Sequence, residues 1–368
     1  MFLDPVVEDV SVAVYTVPTD APEADGTIAW NSTTMVLVQI RAGNVTGLGF
    51  TYGPVACAAV VEDVLAPLVR GRAVLDVGGA HDAMTKAVRN DGRRGAVGYV
   101  LSAVDVALWD LKARVLGLPL YRLLGAVRAE VAVYGSGGFT TYSPEQLAAQ
   151  LNGWTHDQAI PRVKIKIGES WGTCPDRDLE RIAQAREIIG QDCALFVDAN
   201  GAYTRNQAIR VVSAAAEHRV DWFEEPVSSD DLDGLREIRN AVGADVAAGE
   251  YGSTLDDFRL FCTTQAVDVL QIDLSRCGGI TEWFRAAAIA AAHHLEVSGH
   301  CASHLHAHAA MATPNLRHLE WFHDHVRIEN LFFDGTLDPR GGSVRPDPQA
   351  PGHGLVLRAA DAERYRIY

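Results

Sequence analysis

Between residues 130 and 322, short runs rich in β-branched and aromatic residues alternate with amphipathic helical segments, and nearly every run ends in a polar residue. The runs are 131–134, 162–167, 194–197, 220–223, 245–248, 267–273, 295–298 and 316–321. Eight strand-like segments with helices between them are what a (β/α)₈ barrel requires, although a doubly wound open sheet shares the βα repeat. The polar endings separate the two. Lys164 and Lys166 lie on run two, Asp198 and Asn200 close run three, Glu224 and Glu225 run four, Glu250 run five, Asp273 run six, His300 run seven and Glu320 run eight. In a barrel these ends converge on one mouth, where active sites are built. The expected fold class is therefore α/β, a TIM-type barrel.

The preceding third reads as an α+β module. Strand-like runs at 10–17 and 34–40 lead through a Gly/Tyr loop at 47–53 to a helix at 99–116, whose Val104, Ala107, Leu108, Leu111 and Val115 share one face. Gly117 and Pro119 stop it. After Trp321, a segment rich in Pro, Gly and Asp reads as an ordered loop returning over the first domain.

A net charge of −15 argues against nucleic-acid or anionic-membrane partners, while leaving room for a small anionic ligand held locally by lysine and metal. The six cysteines form no CxxC pair, so neither a zinc site nor a disulfide framework is expected. The chain opens without a basic n-region and contains no apolar run of about 18 residues. These features lead us to expect a soluble cytoplasmic protein.

Residues two apart on a strand face the same side, so Lys164 and Lys166 both enter the barrel if either does, while Val163, Ile165 and Ile167 face the helices. Two buried ammonium groups repel, and one pKa is expected to fall toward the range of a general base. Taken alone, a KxK motif more commonly marks a solvated edge. Asp198, Glu224 and Glu250 follow one another at steps of 26 residues. Any one of them is explained equally well as a helix cap. Together they form an all-oxygen set that suits Mg²⁺, which Mn²⁺ can replace. Strict alternation lets Glu224 or Glu225 face the metal, but not both. Asp273 and His300 end successive strands, and a carboxylate on one imidazole nitrogen fixes the tautomer and leaves the other free as base or acid. His304 and His308 lack an HExxH context and, like His293 and His294, read as structural or exposed. Glu320 can meet a substrate carboxylate only if protonated or in a short hydrogen bond, and a structural ion pair is the equal alternative.

Together these motifs resemble the mandelate racemase subgroup of the enolase superfamily in order and spacing. A further match is the helix Ala103-Val-Asp105-Val-Ala-Leu-Trp109-Asp110-Leu-Lys112-Ala, followed by Gly117-Leu-Pro119-Leu. The resemblance covers essentially the whole chain. It implies an N-terminal α+β capping domain at 1–126, a modified TIM-type barrel at 127–345 and a segment at 346–368 packing back on the cap. It also implies a shared first step, in which the proton next to a carboxylate is removed to give a metal-stabilised enediolate. In that frame Asp198, Glu224 and Glu250 hold Mg²⁺, and Lys166 is the base on one face. His300, oriented by Asp273, acts on the other face; Lys164 neutralises the carboxylate and Glu320 is the electrophilic acid. Asn200, Tyr52, Ser136 and Trp30 are expected to contact substrate. The closest fit is dehydration of an aldonate or aldarate to a 2-keto-3-deoxy acid. Racemisation or epimerisation, cycloisomerisation of a lactone or anhydro acid, and a catalytically silent ligand-binding barrel are the alternatives. A symmetric homo-oligomer is expected by analogy.

Overall fold

The computed structural model describes residues 4–368. Strands β1 (Asp9–Ala24), β2 (Ala29–Ala42) and β3 (Val45–Tyr52) form an antiparallel sheet. Its period-two pattern is apolar on both faces because both are covered. Val36, Val38 and Ile40 pack among the helices of the cap, whereas Met35, Leu37 and Phe50 join the large core that continues into the barrel.

Those cap helices include α1 (Val77–Ala87) and α2 (Ala96–Val115). Helix α2 is buried on nearly every side, and strand β3 approaches it through two glycines. A Cβ on Gly49 would stand 2.2 Å from the Ala103 carbonyl oxygen, and one on Gly47 2.2 Å from that of Ala107. Backbone cannot yield as a side-chain tip can. Gly49→Ala is therefore expected to destabilise the protein by about 1–3 kcal/mol, seen as a lower urea midpoint with an unchanged slope.

Strands β4 (Val131–Gly137), β5 (Arg162–Lys166), β6 (Ala194–Asp198), β7 (Val220–Glu224), β8 (Asp245–Ala248), β9 (Val269–Ile272), β10 (Glu296–Gly299) and β11 (Leu316–Phe322) pair in parallel with their neighbours. Strand β11 also pairs in parallel with β4 and closes the barrel, so the open-sheet alternative is excluded. Each strand falls on one of the eight sequence runs. Tyr134, Phe196, Trp222, Ala247 and Val269 fill the interior below the mouth, with His318 among their rings. On the outside, α3 (Gly279–Ala292), α4 (Ser303–Met311) and α5 (His323–Phe332) follow β9, β10 and β11.

The final residues return to the cap. Leu120 N–H donates to the Gly352 carbonyl, His353 N–H to Asp110 Oδ1, Thr16 N–H to the Tyr365 carbonyl and Ile367 N–H to the Val14 carbonyl. No helix among the described residues is long and apolar enough to cross a membrane.

Candidate active site

Strand register places the chemistry. Lys166 is paired with Asp198 and Asp198 with Glu224, so three charged residues stand abreast at the mouth of β5, β6 and β7. Lys164 sits one layer deeper and is fully buried, its Nζ 5.4 Å from the centroid of the Tyr134 ring. It contacts Glu224 directly, Glu320 Oε1 at 2.8 Å and Asp198 Oδ2 at 3.5 Å. Lys166 contacts Asp198.

The expected fall of a lysine pKa is not found. Burial does act to lower both, but Glu224 and Glu320 around Lys164, and Asp198 beside Lys166, outweigh it and raise both. Each ammonium is in direct contact with a carboxylate, Lys164 with Glu224 and Glu320 and Lys166 with Asp198.

On the other side of the mouth, His300 Nδ1 donates to Asp273 Oδ2 at 2.8 Å, which turns Nε2 toward the cavity, where Cys301 Sγ lies 3.4 Å away. Nε2 lies 3.2 Å from Glu250 Oε2 and 3.7 Å from Glu320 Oε2. Burial opposes protonation of this imidazole, but Glu250, Glu320 and the Asp273 hydrogen bond raise its pKa. Asp273 also accepts from the Ser275 N–H and hydroxyl, each at 2.7 Å. Despite its burial, it is held well below the usual carboxylate range by the His300 hydrogen bond and by Arg276.

Glu320 joins the two sides. Besides Lys164, it accepts from the Ser136 hydroxyl at 2.6 Å and from the Cys301 N–H at 2.9 Å. Burial pushes its pKa up, yet Lys164 and His300 bring it well below the usual value. Of the two readings the sequence left open for Glu320, these neighbours favour the ionised carboxylate in an ion pair over the protonated acid. Ser136 is buried, bonded to Glu320 and not among the residues that line the cavity. Trp30, Tyr52 and Asn200 do line the cavity, which encloses about 360 Å³ and runs from Lys166, Glu250, His300 and Glu320 outward to the cap.

Asp198, Glu224 and Glu250 end neighbouring strands, but Glu250 turns toward Arg276 Nη1 at 3.1 Å and His300 rather than toward the other two. The alternation argument about Glu225 fails for a local reason. The strand ends at Glu224, and Glu225 adopts a left-handed φ of 37° that turns the chain. Its buried carboxyl is pushed well up by burial and by the charges of Glu250 and Asp198, so two acids in a row serve the same mouth. Glu225 Oε1 and Asn200 Oδ1 are buried without a hydrogen-bond partner, and Glu250 Oε2 makes no hydrogen bond, with only the His300 ring nitrogen beside it at 3.2 Å. Orphaned oxygens within an all-oxygen set of carboxylates and one amide fit a hard divalent cation.

Sequence reasoning missed Arg276, which follows Asp273 by three residues and pairs with both Asp273 and Glu250. The spacing was readable, but a βα loop of unknown path gave no reason to aim the side chain inward. Cys301 was also missed: left-handed backbone at Cys301 and Ala302 turns its N–H toward Glu320. In the histidine-rich segment, His306 donates from Nδ1 to the Ala302 carbonyl and accepts at Nε2 from Leu274 N–H. His304 contacts Glu329, and His293 and His294 are exposed.

His308 is buried and donates from Nε2 to the His353 carbonyl. Burial lowers its pKa to about 3. Since the unfolded chain binds this proton near pH 6.5, the contribution to stability is complete above that value and is lost as pH falls toward 3, by about 1.4 kcal/mol per pH unit. His308→Gln, which keeps a donor, is expected to flatten the pH dependence of stability between pH 6 and 4 by about that slope. Urea titrations of parent and variant at pH 6, 5 and 4 measure it.

This barrel, its cap and the carboxylate mouth define a class. Residues 146–362 match the family described as enolase C-terminal domain-like, and residues 9–125 the mandelate racemase/muconate lactonizing enzyme N-terminal domain. The chain belongs to the mandelate racemase subgroup of the enolase superfamily.

Three relatives bring the comparison closer. A mandelate racemase/muconate lactonizing enzyme-like protein from Rubrobacter xylanophilus superposes with a TM-score of 0.95 at 50% identity, covering 98% of this chain and 100% of that one. L-talarate/galactarate dehydratase from Salmonella typhimurium, solved with Mg and L-lyxarohydroxamate, gives 0.89 at 27% identity over 98% and 93%. The 3,6-anhydro-alpha-L-galactonate cycloisomerase of Streptomyces coelicolor is 30% identical over 96% of this chain and 97% of its own.

Proposed function

We propose that the protein is a Mg²⁺-dependent sugar-acid dehydratase, converting a polyhydroxy acid to its 2-keto-3-deoxy product. The observation that carries the reading is the pair of proton-transfer groups on opposite sides of one cavity, Lys166 on β5 and His300 after β10, with Glu320 between them. Asp198, Glu224 and Glu250 would hold the cation, with Glu225 close by. When bound, Mg²⁺ supplies positive charge that neutralises the substrate carboxylate and favours loss of the adjacent proton.

Lys166 Nζ takes the α-proton once it has given up its own. His300, protonated at Nε2 and oriented by Asp273, delivers a proton to the β-hydroxyl as it leaves as water. The enol so formed tautomerises to the 2-keto acid. Lys164, fixed among Glu224, Glu320 and Asp198, keeps positive charge beneath the carboxylate. Asp273 positions His300 and does not exchange a proton with substrate.

Cycloisomerisation is the second reading, favoured by the near full-length match to the anhydrogalactonate enzyme. The same proton removal serves both reactions.

The test is a panel of sugar acids and lactones incubated with Mg²⁺ in D₂O, followed by NMR and semicarbazide assay. Keto acid with loss of the β-hydroxyl supports the dehydratase. Ring opening or closure without loss of water supports the cycloisomerase, and inversion with deuterium uptake the racemase. Absence of both exchange and turnover across the panel would overturn all three.

A further inference from the structure

The far half of the cavity carries a message about charge. Among the described residues the cavity's cationic lining consists of Lys166, Arg276 and the protonated His300, and all three belong to the chemical end. Lys166 is paired with Asp198. Arg276 is held by Glu250 at 3.1 Å and Asp273 at 3.2 Å, between the rings of Tyr99 and Tyr251. Neither is free to meet a second anion further out.

The outer wall instead presents acids and neutral hydrogen-bonding groups. Asp25 lies at the tip between β1 and β2, where its Oδ1 accepts from the Thr27 and Ile28 N–H groups at 2.6 and 2.9 Å. Asp324, at the start of α5, is buried and contacts the Thr33 hydroxyl. The nearest guanidinium, Arg327, donates to Asp324 Oδ1 at 2.6 Å and to the Pro18 carbonyl, and is not part of the cavity wall.

His325 completes this wall, stacked on Tyr52 with ring centroids 3.5 Å apart. Burial lowers its pKa to about 3, so it faces the cavity as a neutral imidazole, and its Nδ1 has no hydrogen-bond partner. A neutral imidazole and the acceptor oxygens of Asp25 and Asp324 suit hydroxyl groups. A second carboxylate would be desolvated beside Asp25 and beside Asp324, whose partner Arg327 is already taken by that carboxylate and by the Pro18 carbonyl, with no free cation on the wall to meet it.

Resting on the proposed reaction, we infer that the substrate is a mono-acid with a neutral polyhydroxy tail, of the aldonate type, and that Asp25 and Asp324 select against diacids. The selection operates through like-charge repulsion and the absence of a distal cation, a device that rejects one class of ligand rather than tightening the grip on the other.

Matched pairs test this directly: D-gluconate with D-glucarate, D-galactonate with galactarate, and D-mannonate with D-mannarate. Each is titrated calorimetrically against the Mg²⁺-loaded protein and assayed for keto acid. The expected result is that each mono-acid that binds does so at least about a hundredfold more tightly than its diacid mate. Equal or tighter binding of the diacids overturns the inference while leaving the dehydratase intact if keto acid forms. Mono-acid binding without keto acid or α-exchange supports the inference and overturns the dehydratase. Failure of every acid to bind overturns the inference as well.

Two variants locate the selection. Asp324→Asn and Asp25→Asn keep side-chain shape and remove charge, and each is expected to narrow the mono-acid preference by about tenfold. Asp25 accepts only from its own turn, so that variant remains informative if Asp324→Asn does not fold. An unchanged preference in both variants overturns the role given to these two carboxylates.

Discussion

Replacing Lys166 by alanine is expected to lower turnover by about 10²–10⁴-fold and to stop exchange of the substrate α-proton with solvent. Lys166 lies on the cavity wall with its Nζ against Asp198, 5.9 Å from the centroid of the Phe322 ring. Its companion Lys164 is sealed below and engaged by three carboxylates, so it cannot reach up to replace it. Lys166→Arg is not expected to rescue exchange, because a guanidinium remains protonated at accessible pH. His300→Asn separates the two proton transfers. If Lys166 removes the proton and His300 assists the leaving hydroxyl, the histidine variant continues α-exchange in D₂O while keto-acid formation stops. Exchange that survives in Lys166→Ala and disappears in His300→Asn would reverse the assignment of the base.

Removal of Mg²⁺ by a chelator is expected to have an effect of comparable size, a loss of turnover on the order of 10³-fold that returns on adding the ion back. A readout independent of activity follows from the same crowding of acids. Asp198, Glu224, Glu225 and Glu250 are all buried at one mouth. A cation that binds the folded form and not the unfolded one stabilises it by about 2.7 kcal/mol at a hundred times its dissociation constant. The melting temperature should therefore rise by several degrees with Mg²⁺. Glu250→Gln should abolish most of that rise while keeping the shape of the side chain. A rise that is undiminished in Glu250→Gln would remove this residue from the ligand set.

The fold was legible because its signals are local and repeated. Each of the eight apolar runs needs only its own composition and its polar ending to be recognised, and the repetition resists a single error. The ionisation states were not legible. From Lys164 and Lys166 alone, repulsion was the natural expectation. The decisive neighbours, Glu224, Glu320 and Asp198, come from other strands, and only the barrel's stagger shows which oxygen lies against which nitrogen. Glu225 illustrates a second limit, since one left-handed residue ends the alternation on which strand reasoning depends. Arg276 and Cys301 illustrate a third: side chains and N–H groups on βα loops are aimed by backbone turns that leave little trace in composition. The outer wall, made by a cap tip and the start of α5 some 300 residues apart in the chain, is the least local feature, and of it only Trp30 and Tyr52 were expected to meet substrate.

The returning tail has a consequence for access. Its last residues add to β1, while residues 352 and 353 are bonded to the segment after α2 and to Asp110 within it. Asp105 in the same helix accepts from Thr281 N–H and hydroxyl on α3 of the barrel. The base of the cap is thus stitched to the barrel from both ends of the polypeptide and through its longest helix. Such a cap does not swing away as a rigid body without breaking buried bonds. The tip between β1 and β2, where Asp25, Ile28 and Trp30 line the cavity, is tied down as well: Thr140 N–H donates to the Ala24 carbonyl at 2.9 Å and Trp171 N–H to the Gly26 carbonyl at 2.8 Å. The cap's share of the charge filter, Asp25, is thus held by contacts to the barrel, so changes at the partners of Ala24 and Gly26 would alter the choice of ligand.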